Sequence, residues 1–386
     1  MHLALAMGGF AIGTTEFATM SLLPFMARDL HVSEPVASNV ISAYALGVVV
    51  GAPVFAVLFA RMARRSLLVL LMLLFGAANL LSAFASNYET MMLFRFLSGL
   101  PHGAYFGIAA LVASSVVPPN KRTAAVGRVM LGLTVATVVG VPLANVLGQL
   151  AGWRWGFGIV ALLAWTTVLL VFRFAPYEDA RADASSRREL GALKQPQVWL
   201  TLATGAIGFG GVFAVYTYLA STIIEVTHQS AAAIPAVLMI FGIGMTCGNL
   251  VMPRFADRAL KTTVTAMILM MGAMLALYAP AAKNIVTLSL DMFGLGFSVS
   301  LATMLQTRLM DVAGDAQALA AALNHSAFNT ANALGPWLGG MAITAGFGWT
   351  STGWVGVALA VGGLVIWGAS CLHASPGRRL AEDARP

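Results

Sequence analysis

Five ionisable side chains interrupt long apolar stretches of the sequence. They are Glu16, Arg95, His102, Asp291 and His325. A charge at mid-membrane costs at least about 2.5–3.5 kcal/mol, so such groups normally face a cavity or a partner. Burial disfavours the charged form of a carboxyl group, which allows it to take up and release a proton near neutral pH. Glu16, in the segment GTTEF, is therefore the preferred candidate for a proton carrier.

Alternative structural roles stay open for these residues. Glu16 could instead be held permanently in a salt bridge, with Arg95 as its partner. Asp291, which follows Arg95 at a spacing of 196, is a further candidate for proton coupling in the same cavity, but it lies only about seven residues into its apolar run and could sit near the outer water. His102 and His325 titrate in a useful range, although a lone histidine more often packs and hydrogen-bonds.

Periodicity places further polar and aromatic residues beside them. Arg95 and His102 are two helical turns apart and share a face. His325, Asn329 and Asn332 form a similar stripe, opposite a row of small residues. Aromatic side chains in the same runs could complete an amphipathic substrate cavity, with Tyr105, Phe106 and Tyr216 as the candidates.

Composition explains why these residues are exceptional. Hydrophobic residues make up 59% of the 386 positions and charged residues 10%, whereas soluble domains have about 45–50% and about 25%. The apolar runs are long enough for about 20-residue helical spans, and twelve can be counted. The sequence therefore predicts an all-α polytopic membrane protein with twelve transmembrane helices.

Charge in the connections predicts the orientation. If both termini lie in the cytoplasm, 18 of the 22 Lys and Arg residues fall on the inner side. Arg28, Arg154 and Lys283 fall outside, and Arg95 lies within a span. This follows the positive-inside rule. The basic residues are scattered over short loops without stacking aromatics, so a nucleic-acid partner is not expected.

Internal similarity divides the chain into halves. Trp153 and Trp349, each after a glycine, are 196 residues apart, and rows of small residues every fourth position recur near the same spacing. Two six-helix units in parallel repeat are predicted, residues 1–175 and 198–386, with a polar cytoplasmic linker at 176–197 and a short cytoplasmic tail. Such repeats are typical of secondary transporters, whose binding site lies between the halves.

Several blocks carry a resemblance to a known family. They are GTTEF, ISAYALGVVVGAP (41–53), RFLSGLPHGAYFG (95–107), GVPLANVLG (140–148) and LGPWLGG (334–340). The chain resembles the twelve-span drug:proton antiporters of the major facilitator superfamily, and within it the arabinose-efflux-permease-like branch of bacterial inner-membrane exporters. The resemblance implies the major facilitator fold, efflux driven by proton entry and a role for Arg95 in proton coupling. It also implies a helix-packing motif with Gly132, Gly140, Pro142, Gly335 and Pro336.

One motif of the family is altered. In FARMARRS (59–66), which contains Arg61 and Arg64, Ala60 replaces the expected Asp, whereas FADRALK (255–261) retains Asp257 and Arg258. We expect a cytoplasmic gate with charge on one side only, Asp257 facing Arg128 and the positive amino terminus of its helix. The alternative is an ordinary loop cap with inside-positive charge.

The sequence therefore favours a proton-coupled exporter of a small uncharged or singly charged molecule, such as a sugar, a nucleoside or a drug. An importer or facilitator of the same fold stays possible. An enzyme is disfavoured because no close metal-ligand or nucleophile spacing occurs in the spans, and a channel is disfavoured because rings of like charge are missing. The expected partners are the lipid bilayer, protons and the substrate; no cofactor or metal is expected, and the fold can work as a monomer.

Overall fold

A computed structural model describes residues 1–59, 62–118, 122–176, 194–313 and 317–373. This part of the chain forms helices and turns and contains no β-strand. Ten of its helical segments are long and apolar enough to cross a membrane. The expected all-α membrane architecture is confirmed.

The helices that precede residue 176 are called here the amino-terminal set. They are α1 (His2–Ser21), α2 (Leu23–Asp29), α3 (Glu34–Ala37), α4 (Asn39–Leu58), α5 (Arg64–Ala83), α6 (Tyr88–Ser115), α7 (Arg122–Val135), α8 (Val141–Ala151) and α9 (Arg154–Phe174). A π-helical turn, Ala136–Gly140, joins α7 to α8. It lies just before Pro142, which lacks an N–H group and cannot continue the regular hydrogen-bond ladder.

The helices that follow residue 193 are called the carboxy-terminal set. They are α10 (Pro196–Gly208), α11 (Gly210–Thr217), α12 (Leu219–Glu225), α13 (Ile234–Ala281), α14 (Ile285–Ser298), α15 (Leu301–Ala313), α16 (Gln317–Ala342) and α17 (Ser351–Leu372). α13 has 48 residues, about 70 Å of helix at 1.5 Å per residue. Its backbone leaves the helical conformation at Ala259 (φ −152°, ψ 69°), so α13 consists of two segments, each long enough to cross a bilayer.

The same close helix contact is found in each of the two sets. Gly47 on α4 lies against the carbonyl oxygen of Phe96 on α6, and Gly244 on α13 lies in the same way against that of Phe293 on α14. A side chain at either glycine would collide with backbone, so both pairs of helices need glycine to approach this closely. Both members of the first contact lie 197 residues before their counterparts in the second.

Backbone irregularities recur at nearly the same interval. His31 and His228 are the two non-glycine residues with positive φ in the described chain, at 56° and 55°, and they too are 197 residues apart. Gly152 and Gly348, which precede Trp153 and Trp349, both have positive φ. Turns are thus repeated together with helix contacts.

The residues predicted to form a helix-packing motif make their contacts mainly within their own set. Gly132 and Gly140 contact α1, and Gly335 contacts α11. The carbonyl oxygen of Pro336 accepts a hydrogen bond from Tyr218, and Pro142 begins the turn from the π-helical segment into α8. The two sets contact each other through α4 with α16 and through α8 and the π-helical turn with α13.

Candidate functional site

Glu16 lies on α1 at the interface between the two sets. Its side chain is 7% exposed, and its Oε1 accepts a hydrogen bond of 3.0 Å from Nδ2 of Asn332 on α16. The amide donor therefore comes from the opposite set. Pro336, four residues after Asn332, lacks the N–H that would bond to the Asn332 carbonyl, so α16 is locally less tightly bonded at this level.

Arg95 does not form the salt bridge that was considered as an alternative for Glu16. Among the described residues, the guanidinium group donates to Thr15 Oγ1 at 3.1 Å and, weakly, to Ser98 Oγ at 3.5 Å. Its Cζ lies 4.3 Å from the centre of the Tyr44 ring, in a cation–π contact. Arg95 is thus buried in a polar and aromatic pocket beside Glu16, close enough to interact with it electrostatically.

The two predicted histidines meet across the interface. The ring centres of His102 on α6 and His325 on α16 are 6.0 Å apart. His325 also stacks on Phe106, with centres 5.0 Å apart and ring planes inclined by 4°. His102 Nδ1 is 2.9 Å from the hydroxyl group of Tyr44. Tyr44 thus connects the arginine to the histidine pair; sequence reasoning missed it, although it lies in one of the resemblance blocks.

The remaining cavity candidates divide into two groups. Tyr216 packs edge-on against Phe17, the neighbour of Glu16, at 5.5 Å, and its hydroxyl group is buried without a hydrogen-bond partner among the described residues. The side-chain oxygens of Asn329 and Asn332 are also buried without a hydrogen-bond partner among the described residues. Tyr105, in contrast, donates to the carbonyl oxygen of Leu5 at 2.8 Å and so ties α6 to α1 within the amino-terminal set.

The structure corrects the alignment of Asp291 with Arg95. Contacts between α4 and α6 recur between α13 and α14 at a spacing of 197, which pairs Arg95 with Met292 and Asp291 with Phe94. One residue corresponds to about 100° around a helix, so Asp291 does not share the face of Arg95. Asp291 is 6% exposed, and thus it does not sit in outer water either.

One end of the interface is held by hydrogen bonds between the sets, and we call it the Glu34 end. Ser221 on α12 donates to Glu34, and Tyr218 lies 2.9 Å from Ser38 Oγ. Gln149 donates to the carbonyl oxygen of Ala231 at 2.9 Å. Sequence analysis missed these contacts because each joins residues more than 80 positions apart.

The opposite end carries the predicted gate, and we call it the Asp257 end. Asp257, Arg258 and Arg128 are all exposed. Within the described chain, Asp257 forms no ion pair with Arg128 in this conformation. Arg64 begins α5, and Arg61 falls outside the described residues.

Comparison with known proteins agrees with this architecture. The chain is 40% identical to the inner membrane transport protein YdhP of Escherichia coli (strain K12), over 90% of each chain. It is 33% identical to a chloramphenicol resistance protein of Streptomyces lividans, over 99% of this chain and 97% of the relative. A probable sugar efflux transporter of Haemophilus influenzae (strain PittGG) is 31% identical over 95% and 92%.

A family model matches residues 5–324. Its coverage includes Glu16, Arg95, His102 and Asp291, and the similar proteins above are named as transporters or by a resistance, not as enzymes. The resemblance read from the motif blocks is confirmed, and the chain belongs to the Major Facilitator Superfamily of membrane transporters.

Proposed function

We propose that the chain exports a small uncharged or singly charged molecule across the bacterial inner membrane in exchange for protons. Twelve spans form two six-helix units, residues 1–175 and 198–386, repeated in parallel and joined by the linker 176–197. The recurrence of contacts at a spacing of 197 and the break of α13 at Ala259 support this arrangement. With both termini in the cytoplasm, the Glu34 end faces outward and the Asp257 end faces the cytoplasm.

The observation that carries proton coupling is the environment of Glu16. A buried carboxylate that is not held in an ion pair is disfavoured, and Glu16 has an amide, not Arg95, as its hydrogen-bond partner. A protonated Glu16 is therefore compatible with contact between the two sets. Its deprotonation places a negative charge beside Arg95 and at the interface, and this change favours separation of the sets and entry of water.

Alternating access follows from the two ends of the bundle. In this conformation hydrogen bonds close the Glu34 end, while the gate residues at the Asp257 end are exposed. This corresponds to a state open to the cytoplasm, which loads substrate and releases the proton. The gate between Asp257 and Arg128 forms in the opposite state, when the Glu34 end opens.

Polar atoms near Glu16 favour an uncharged substrate that can donate hydrogen bonds. The oxygens of Tyr216, Asn329 and Asn332 are buried and unpartnered among the described residues, and an unmade hydrogen bond of a buried group costs about 1–3 kcal/mol. Phe17 and Phe213 supply an apolar surface beside Tyr216. Hydroxyl groups on an otherwise compact, uncharged molecule match this surface. Two relatives bear names that refer to sugar efflux and chloramphenicol resistance, and both compound types fit.

The proposal is tested in proteoliposomes with an imposed proton gradient. The probes are arabinose, a nucleoside, chloramphenicol and a lipophilic cation, and wild type is compared with Glu16→Gln. We expect gradient-driven transport of at least one probe by wild type, and its loss in Glu16→Gln while probe binding persists. Neutralisation of an exposed acid, Glu225→Gln, is the matched control and should leave transport intact.

Three other results would contradict this proposal, and the assay distinguishes them. If Glu16→Gln still concentrates the probe against its gradient, Glu16 has a structural role and the proposed coupling is wrong. If wild type moves the probe in the same direction as protons, the chain is an importer. If it equilibrates the probe without responding to the gradient, it is a facilitator.

A further inference from the structure

Asp291 has a surrounding unlike that of any other intramembrane acid in the described chain. It lies on α14, six residues after Ile285, hence about 9 Å along the helix from the Glu34 end. Both carboxyl oxygens are buried and have no hydrogen-bond partner among the described residues. No Lys, Arg or His of the described chain forms an ion pair with it.

A buried tyrosine lies across the helix pair from Asp291. Tyr278 lies on α13, which packs along α14, and it is completely buried. Its hydroxyl oxygen forms no regular hydrogen bond in the described chain, although the Thr222 side chain lies close enough to interact with it. Asp291 is near enough to act electrostatically on this phenol, so Tyr278 is the titratable group that faces Asp291 from the neighbouring helix.

An ionised Asp291 is not compatible with this environment. Transfer of an isolated carboxylate into an apolar interior costs far more free energy than transfer of a neutral polar group. The carboxyl group must therefore bind a proton or another cation. No group of three or more His, Cys, Asp or Glu side chains in the described residues could hold a metal ion, and this favours the proton.

The internal repeat shows that the scaffold does not need an acid here. The counterpart of Asp291 at the spacing of 197 is Phe94, which packs in the apolar cluster around Leu22 and Trp153. An acid has thus taken the place of an apolar residue in one set only. A costly group that the repeated scaffold does not require indicates a function.

We infer that Asp291 is a second proton-binding site, separate from Glu16, which holds a proton between α13 and α14 while the Glu34 end is closed. Its position toward the Glu34 end places it where protons enter from outside. Opening of that end admits water, exposes the carboxyl group and allows the proton to exchange. The use of this proton in transport rests on the proton-driven efflux proposed above, whereas the bound proton can be measured without any substrate.

The experiment is infrared spectroscopy of the full-length protein in lipid nanodiscs at about pH 8, where an exposed carboxyl group is ionised. A protonated carboxyl group has a C=O stretching band that a carboxylate lacks. We expect Asp291→Asn to remove the contribution of one carboxyl group from this band. Tyr278→Phe should shift the same component, because its surroundings change. Asp311→Asn, which neutralises an exposed acid on α15, should leave the band unchanged.

Two results overturn the inference. If the band of Asp291→Asn equals that of wild type, Asp291 is ionised and holds no proton. If the Asp291 component is missing in sodium buffer but develops after sodium is replaced by choline, the site binds a cation and not a proton. Glu16→Gln is measured in parallel: its own component can be present or absent independently, so failure at Asp291 is distinguishable from failure of the Glu16 proposal.

Discussion

The Glu34 end and the Asp257 end of the interface differ in how the two sets of helices are joined. At the Glu34 end, uncharged hydroxyl and amide groups form hydrogen bonds between the sets, with Glu34 as the one acid involved. At the Asp257 end, charged residues are exposed and the predicted gate is unmade. Glu16 and the histidine pair lie between the two ends.

This difference suggests two ways of closing a pathway. Buried neutral hydrogen bonds depend on close packing, and each is worth about 1 kcal/mol. Exposed ion pairs are worth about 0–1 kcal/mol and are screened by salt. Each closure is therefore built from individually weak contacts, so single substitutions can change the populations of the two states.

The largest effect is expected from a wedge at the packed interface. A Cβ atom at Gly242 on α13 would lie 2.7 Å from the carbonyl oxygen of Thr137 in the opposite set. Gly242→Val should therefore push the sets apart at the Glu34 end, at a cost of about 1–3 kcal/mol, and change the ratio of closed to open molecules at least about five-fold. Spin labels at Val36→Cys and Glu225→Cys should report longer distances.

Gly107→Val is the control for this wedge. Nothing lies within 4 Å of a Cβ atom at Gly107, so the same substitution adds volume without a collision. An unchanged distance distribution in Gly242→Val would mean that the closeness of α13 to the π-helical turn does not determine closure.

A smaller effect is expected from a single hydroxyl group. Tyr218 Oη lies 2.9 Å from Ser38 Oγ in the opposite set and 3.0 Å from the carbonyl oxygen of Pro336. Tyr218→Phe should weaken closure by about 1 kcal/mol, a change of about five-fold in the closed-to-open ratio. The same label pair measures it.

Tyr105→Phe is a matched control for that change. Its hydroxyl group donates within the amino-terminal set, to Leu5. Tyr105→Phe should lower the free energy of unfolding without altering distances at the Glu34 end. Equal effects of both variants on the distances would show that closure responds to general destabilisation only.

The Asp257 end should respond to the loss of one charge. Asp257→Asn should leave the present conformation unaffected, since Asp257 is exposed and makes no ion pair with Arg128 here. It should destabilise the opposite state by about 0.2–1 kcal/mol, so labels at Gly127→Cys and Phe255→Cys should show fewer molecules with this end closed. Asp311→Asn, which neutralises another exposed acid, is the matched control for Asp257→Asn. Indistinguishable distances in the two variants and wild type would exclude the gate.

Sequence reasoning recognised the membrane helices, the family and the residues that meet at the interface. Apolar runs and motif blocks are local features, and they located Glu16, Asn332, His102 and His325, which the structure brings together in pairs. The partner of each could not be predicted, because the pairs join residues more than 200 positions apart. Tyr44 and the contacts at the Glu34 end were concealed because they too join residues that are distant in the sequence, at separations of 58 to 187 positions.

The error in the placement of Asp291 has a different origin. Small-residue rows recur at 195 and at 197 in different helices, and the two tryptophans at 196, because the loops between them differ in length. A spacing chosen from one loop was applied to α14, where contacts with α13 require 197. An error of one residue turns a side chain by about 100°, which is enough to move it from the interface to the interior of one set.

The smallest effect is expected at an ion pair that lies at the Glu34 end but does not cross between the sets. Arg154 forms an ion pair with Asp29, whose Oδ2 also accepts a 3.0 Å hydrogen bond from Trp153. Both charged side chains are more than 40% exposed, so Asp29→Asn should cost less than about 1 kcal/mol. The hydrogen bond from Arg154 lowers the pKa of Asp29 below its ordinary value of 3.8.

The sign of the pH dependence follows from that lowered pKa. Because the folded protein holds Asp29 ionised more readily than the unfolded chain, the stabilisation is complete above 3.8 and is lost as the pH falls through the lower, folded pKa. Unfolding measured in detergent should therefore show a small difference between wild type and Asp29→Asn at neutral pH and none in strong acid. The Val36 and Glu225 label distances should not change, since α2 and α9 belong to the same set. If they do change, polar contacts within a set also control opening, and the distinction drawn between crossing and non-crossing contacts is wrong.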